Sequence, residues 1–306
     1  MRLSPKELRA RAEEARAQYA DCHLCGHHCG VDRRRGPAGK CQEGDGVSLG
    51  GAGLHFGEEP PLVGTKGGPR HGSGLILIGG CNLACRSCET ADLSLQRKHL
   101  TAVSEAQLAA VLLDLQARGA ANANFVTPTH VLPALLAGLA RAAEAGFDLP
   151  VVWNCGGYES LPALRLLDGV VDVYLPDAKY GGAAEGLALS GCADYPAVLA
   201  ECLAEMHRQV GPLEVDGHGL ATSGVIVRHL VLPSGQARPE RLMPLLASVS
   251  TDLWVNVLSQ YRPVHEAKLL PLVARRPLKA EVDAALSAAA GAGLRNVLLD
   301  GRPAAS

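Results

Sequence analysis

From residue 74 onward, short apolar runs alternate with helical stretches, and that alternation restricts the chain to a βα architecture built around a parallel sheet. The strand candidates are residues 75–78, 123–126, 151–154, 171–175, 225–230 and 253–257. Helix candidates at 104–118, 131–145, 159–167, 195–210, 239–248 and 279–292 lie between and after them. Ser104, with Gln107 three residues on, makes a capping-box start. Gly146, Gly211 and Gly293 stand where helices should stop. Six units are too few to close an eight-fold barrel, and residues 295–299 read as an added edge strand.

Upstream the pattern is different. Residues 5–19 read as a short Ala-rich helix whose Glu7, Arg9, Arg11, Glu13, Glu14 and Arg16 form a solvated face. Residues 48–73 are rich in Gly and Pro and read as an irregular connector. The expected organisation is a helix and Cys-rich knob over 1–47, a connector over 48–73 and the βα domain over 74–306.

In parallel βα folds the chemistry gathers at the C-terminal ends of the strands. Those ends are polar here: Thr127, Thr129 and His130; Asn154 and Cys155; Asp177 and Lys179; Arg228 and His229; Asn256, Gln260 and Tyr261. After the first strand come Cys81, Cys85 and Cys88, spaced C-x3-C-x2-C and preceded by Gly79-Gly80. Three clustered thiolates can hold an iron–sulfur cluster and leave one iron open. A structural zinc knuckle is the alternative reading, but it brings a fourth Cys or His at close range. The next candidates, His99 and the cysteines before residue 42, are distant along the chain.

Cys22, Cys25, Cys29 and Cys41 form a second group, C-x2-C-x3-C-x11-C, with His23, His27 and His28 interleaved. Four thiols with little apolar material around them imply a knob folded on a metal. The spacing suits zinc or a second [4Fe–4S] cluster equally. The histidines read as exposed bystanders. Arg33, Arg34 and Arg35 read as a solvated turn or as a docking patch for an acidic partner. Cys192 and Cys202 read as small core residues.

At 306 residues and 47% apolar, the chain can bury a sizeable core. A net charge of −2 predicts no general attraction to nucleic acid or membrane, and no apolar run approaches a bilayer-spanning length. Ten cysteines, seven of them in two tight groups, point to metal and to a reducing cytoplasm rather than to disulfides.

The Cys81–Cys88 spacing resembles the signature of the radical S-adenosylmethionine superfamily. From about Cys22 to the last helix the chain is similar to its PflX-like branch, related to pyruvate formate-lyase activating enzymes. The resemblance implies a partial (β/α)6 barrel with a Cys-rich, metal-binding N-terminal extension. It implies an oxidoreductase in which Cys81, Cys85 and Cys88 hold a [4Fe–4S] cluster whose open iron takes the amino and carboxylate groups of S-adenosylmethionine. One electron, from a flavodoxin or ferredoxin, would cleave the sulfonium to a 5′-deoxyadenosyl radical that abstracts hydrogen from the substrate. The implied substrate is a protein that carries a glycyl radical. Radical chemistry on a small molecule or peptide side chain is a second reading, and a non-catalytic metal-binding adaptor a third.

The resemblance extends to single positions. Thr127-Pro128-Thr129-His130 stands where many members carry Gly-Gly-Glu, so the carbonyls and hydroxyls of Thr127 and Thr129 are candidate acceptors for the methionine ammonium. The same residues also read as a plain helix start. Asn154 reads as a partner for ribose or carboxylate, or as a cap for the turn before Gly156-Gly157. Asp177 and Lys179 match an Asp-x-Lys of the activating enzymes, with Lys suited to a carboxylate. The alternative for them is a surface ion pair of little energy. His229 matches a cofactor-contacting His and otherwise reads as a satisfied core residue, with Arg228 on the opposite face of its strand. Ser87 departs from the family, which usually has an aromatic residue before the third cysteine.

Overall fold

The computed structural model describes residues 3–304. The outermost positions of the two expected end segments, 1–2 and 305–306, lie outside the described residues. The strands are β1 (Val47–His55), β2 (Ser73–Ile78), β3 (Thr101–Val103), β4 (Ala123–Val126), β5 (Val151–Cys155), β6 (Val173–Pro176), β7 (Glu214–Val215), β8 (Ala221–Leu230), β9 (Trp254–Leu258), β10 (Asn296–Leu299) and β11 (Arg302–Pro303). The helices are α1 (Pro5–Arg16), α2 (Pro60–Val63), α3 (Ala91–Ser94), α4 (Glu105–Ala117), α5 (Leu132–Glu144), α6 (Leu161–Leu166), α7 (Ala183–Ser190), α8 (Tyr195–Val210), α9 (Pro239–Val249) and α10 (Lys279–Gly291).

Among the described residues, eleven strands join one open, mixed sheet in the order β11-β10-β9-β8-β6-β5-β4-β2-β1-β3, with β7 on β8. Its middle is a parallel run, β2-β4-β5-β6-β8-β9-β10, whose spatial order follows chain order. Helices between successive parallel strands make this connection possible. Because both faces are covered, the strands read as continuous apolar runs, and every residue of β5 and β6 is buried. Residues 295–299 were expected at the edge. Instead β10 continues the parallel run, and β11 closes that edge by an antiparallel pair.

Alternation along the strands separates two apolar layers. Trp153, Tyr174, Val225 and Val227 face the helices in the main core. Val152, Val173, Leu175 and Ile226 face the other way and pack with Leu62 of α2. The residues preceding and forming α2 therefore cover the second face of the sheet. This overturns the expectation of an irregular connector. All of β1 but Val47 also lies in that segment, antiparallel to β2, with a bulge between Leu49 and Gly51. Glycines at 50, 51 and 53 dilute its apolar pattern.

Helix α1 has the Ser4–Glu7 capping box and lays Leu8, Ala12 and Ala15 against α5. Its charged residues line the outer side as expected, except that Arg11 is half-buried and donates to the Arg165 carbonyl at 2.8 Å. Among the described residues no single helix is long and apolar enough to cross a membrane.

Candidate functional site

The C-x3-C-x2-C loop leaves the C-terminal end of β2 through Gly79 and Gly80. Gly80 has φ +82°, and a Cβ there would run into the Glu43 carboxylate and the His130 ring. Inside the loop Leu83 is buried and anchors it, and Ala84 sits at φ +53°. Two of the three sulfurs meet a donor, and the third lies beside two hydroxyls. The Leu83 amide donates to Cys81 Sγ at 3.3 Å, and the Ser190 hydroxyl donates to Cys85 Sγ at 3.1 Å. Cys88 Sγ lies 3.1 Å from Ser94 Oγ and 3.5 Å from Thr90 Oγ1. Burial pushes the Cys81 thiol up to about 12, and the neighbouring Cys85 and Cys88 push it the same way. The three thiols thus share one environment. Among the described residues, no group of three or more His, Cys, Asp or Glu is arranged to hold a metal ion as it stands.

Beside this loop the polar strand ends form one network. Arg228 Nε donates to Asp177 Oδ1 at 2.8 Å, and its Nη2 donates to Asn154 Oδ1 at 2.5 Å. Lys179 Nζ donates to the other Asp177 oxygen at 2.7 Å. Burial works against the Lys179 charge, yet Asp177, and after it Cys85, hold the ammonium above the usual lysine value. Asp177 is likewise held below the usual carboxylate value by Arg228 and Lys179, against the effect of burial. The pair expected as a possible surface contact is part of a half-buried network. Its outer members come from the segment read as connector. Glu58 Oε2 accepts from Arg228 at 3.4 Å, and Glu59 Oε1 accepts from Asn256 Nδ2 at 2.9 Å.

Three expected positions behave differently. His229 is fully buried, its Nδ1 against the Ala178 carbonyl at 2.9 Å, on the strand face that carries Val225 and Val227. Burial lowers its pKa and keeps it neutral. Alternation from Ile226 therefore turns Arg228, not His229, toward Asn154 and Asp177. Thr129 is buried, donates to Glu159 Oε1 at 3.1 Å and accepts from Trp153 Nε1 at 3.2 Å, so its hydroxyl is used in the interior. It opens a 3-10 turn ahead of α5 rather than capping the helix. Thr127 stays half-buried at the strand end, at φ +57°, a costly value for a β-branched residue. Its amide donates to the Asn154 carbonyl at 2.8 Å. Gln260 and Arg262 line an open pocket of about 350 Å³ with Glu89 and Val264, next to the third cysteine. Tyr261 does not join them, because it is buried with its hydroxyl on the Val273 carbonyl at 2.8 Å.

Cys22, Cys25, Cys29 and Cys41 line one small cavity of about 10 Å³, together with Arg33 and His130. Arg33 is fully buried, which removes it from any surface patch. Its guanidinium donates to the carbonyls of Glu43 at 3.0 Å, His130 at 2.5 Å and Gly44 at 2.6 Å, reaches Cys22 Sγ at 3.8 Å and stacks 5.0 Å over the Tyr19 ring. Only Arg34 and Arg35 remain at the surface, paired with Asp32 at 2.9 and 3.4 Å. Burial pushes the Cys25 and Cys41 thiols up, with Arg33 opposing it at Cys41; four cysteines on one cavity are a donor set that fits a thiolate-bound metal. His27 is not a bystander. Its Nε2 bonds the Asn82 carbonyl at 2.8 Å and ties the knob to the C-x3-C-x2-C loop. Sequence reasoning put Arg33 at the surface and missed Ser190, Glu58 and Glu59. Only the Glu-Glu-Pro-Pro run at 58–61 gave a local hint, as a helix start.

No family model matches the chain. The uncharacterized protein MJ0674 of Methanocaldococcus jannaschii is 30% identical over 296 residues, which cover 94% of this chain and 79% of that protein.

Proposed function

We propose, for a chain that belongs to the family of the archaeal protein MJ0674, that it is a radical S-adenosylmethionine enzyme acting at the C-terminal ends of a partial (β/α)6-type barrel. One observation carries the reading. The three-cysteine loop leaves the first of seven sequential parallel strands and stands beside the Lys179–Asp177–Arg228–Asn154 network. The Leu83 amide on Cys81 Sγ and the Ser190 hydroxyl on Cys85 Sγ fit thiolates bound to iron. When bound, a [4Fe–4S] cluster and S-adenosylmethionine supply reductive cleavage of the sulfonium and a 5′-deoxyadenosyl radical that takes hydrogen from the substrate.

The chain's own residues then have distinct tasks. Cys81, Cys85 and Cys88 are the iron ligands. Lys179, charged and close enough to Cys85 to feel it, meets the methionine carboxylate. Asn154, oriented by Arg228, meets the ribose. The carbonyls around the strained Thr127 accept from the methionine ammonium. The knob holds a single ion such as zinc, which a cavity of about 10 Å³ suits better than a second cluster. The open pocket of Glu89, Gln260, Arg262 and Val264 is the proposed place for the substrate, a loop of a protein in the glycyl-radical activase reading. A flavodoxin or ferredoxin in the cytoplasm is the proposed electron source.

Anaerobic loading with iron and sulfide tests the ligand assignment. The native chain is expected to take up about four irons beyond the knob metal, and Cys85→Ser to lose them. Equal iron in both proteins would remove Cys85 from the site.

A further inference from the structure

We infer that the buried hydroxyls of Tyr180 and Ser190 form a directed donor chain onto the Cys85 sulfur and set the reduction potential of the cluster, an inference that rests on the iron–sulfur reading above. Ser190 ends α7, and Gly191 at φ +69° turns the chain away there. The cysteine loop docks on that helix end, with the Arg86 amide donating to the Leu189 carbonyl at 2.9 Å. Ser190 and Tyr180 are both almost fully buried. The Ser190 hydroxyl donates to Cys85 Sγ at 3.1 Å, and Tyr180 Oη lies 2.8 Å from Ser190 Oγ. A serine hydroxyl carries one proton. With that proton on sulfur, the Ser190 oxygen can only accept, so Tyr180 must donate and the direction of the chain is fixed.

Of the three sulfurs, Cys81 takes a backbone amide and Cys88 lies by two short hydroxyls. Cys85 has a donor that is itself polarised by a second buried donor. In a low-dielectric interior such a chain strengthens each bond in it. Reduction adds one negative charge to the cluster, and a donor on its thiolate stabilises that charge more than it stabilises the oxidised form. Hydrogen bonds to the sulfurs are among the factors that set such potentials. Tyr180 and Ser190 are positioning residues in this scheme, and the chain raises the potential.

Dye-mediated redox titration of the anaerobically loaded chain, followed by electron paramagnetic resonance, tests this on native protein, Ser190→Ala and Tyr180→Phe. Ser190→Ala is expected to shift the potential to a more negative value. Tyr180→Phe, which keeps the ring in its packing against Tyr195 at 5.3 Å between centroids, is expected to shift it the same way by less. If both variants hold the cluster at the native potential, the inference is overturned while the iron–sulfur reading stands. A native chain that takes up no cluster overturns both.

Discussion

Arg228 and His229 are adjacent and have opposite fates. Arg228 joins Asn154 and Asp177, while His229 is sealed among helices. The run Val225-Ile226-Val227-Arg228-His229-Leu230 is apolar in both phases because the strand is buried on both faces, so periodicity alone cannot say which of the two polar residues faces the site. The three cysteines were legible for the contrary reason: their spacing is local and needs no knowledge of faces. Arg228→Met is therefore expected to abolish S-adenosylmethionine cleavage in the iron-loaded chain. His229→Gln is expected to retain cleavage and lose about 1–3 kcal/mol of stability in urea unfolding. Loss of cleavage in a folded His229→Gln chain would restore His229 to the site.

Glu159 carries a pH signature. Burial raises its carboxyl to about 7, against hydrogen bonds from Cys155 and Thr129. The folded chain holds this proton more tightly than the unfolded one. Its contribution to stability is complete below the ordinary glutamate value and is lost as pH rises through about 7. Glu159→Gln is expected to be more stable than the native chain at alkaline pH, by up to about 3 kcal/mol, with the difference vanishing in acid. Denaturant unfolding of both proteins across that range measures it, and a constant difference would show that Glu159 does not titrate there.

At the level of elements, the longer helices and the parallel strands were readable from their periods and caps, whereas α3 and α7 were not. Helix α8 falls on the residues expected of it. What escaped was placement by distant partners. Strand β1 forms only because β2 follows it and offers a pairing edge, and α2 is a short helix whose Leu62 fills a layer built from strands more than eighty residues downstream. The knob shows the same dependence. Its cysteines were legible as one group, and they line one cavity, but its attachment through His27 and Asn82 was not. Cys25→Ser is expected to lose the knob metal and to open residues 22–41 to limited proteolysis, while the three-cysteine loop still takes up iron. Loss of the loop iron together with the knob metal, with the main sheet folded, would make the knob a requirement for the catalytic loop.

Across the whole molecule, sequential parallel strands carry their polar ends to one rim, and the end strands β11 and β3 do not pair with each other. Glu58 and Glu59 close the second face from below, through Arg228 and Asn256. A cofactor that presents an ammonium, a carboxylate and a ribose would find partners for each along this rim. The most direct measurement is the amount of 5′-deoxyadenosine released when the anaerobically iron-loaded chain meets S-adenosylmethionine and dithionite. Release that depends on dithionite and disappears in Cys85→Ser is the expected result. An iron-loaded native chain that binds S-adenosylmethionine and leaves it intact would contradict radical chemistry at this site.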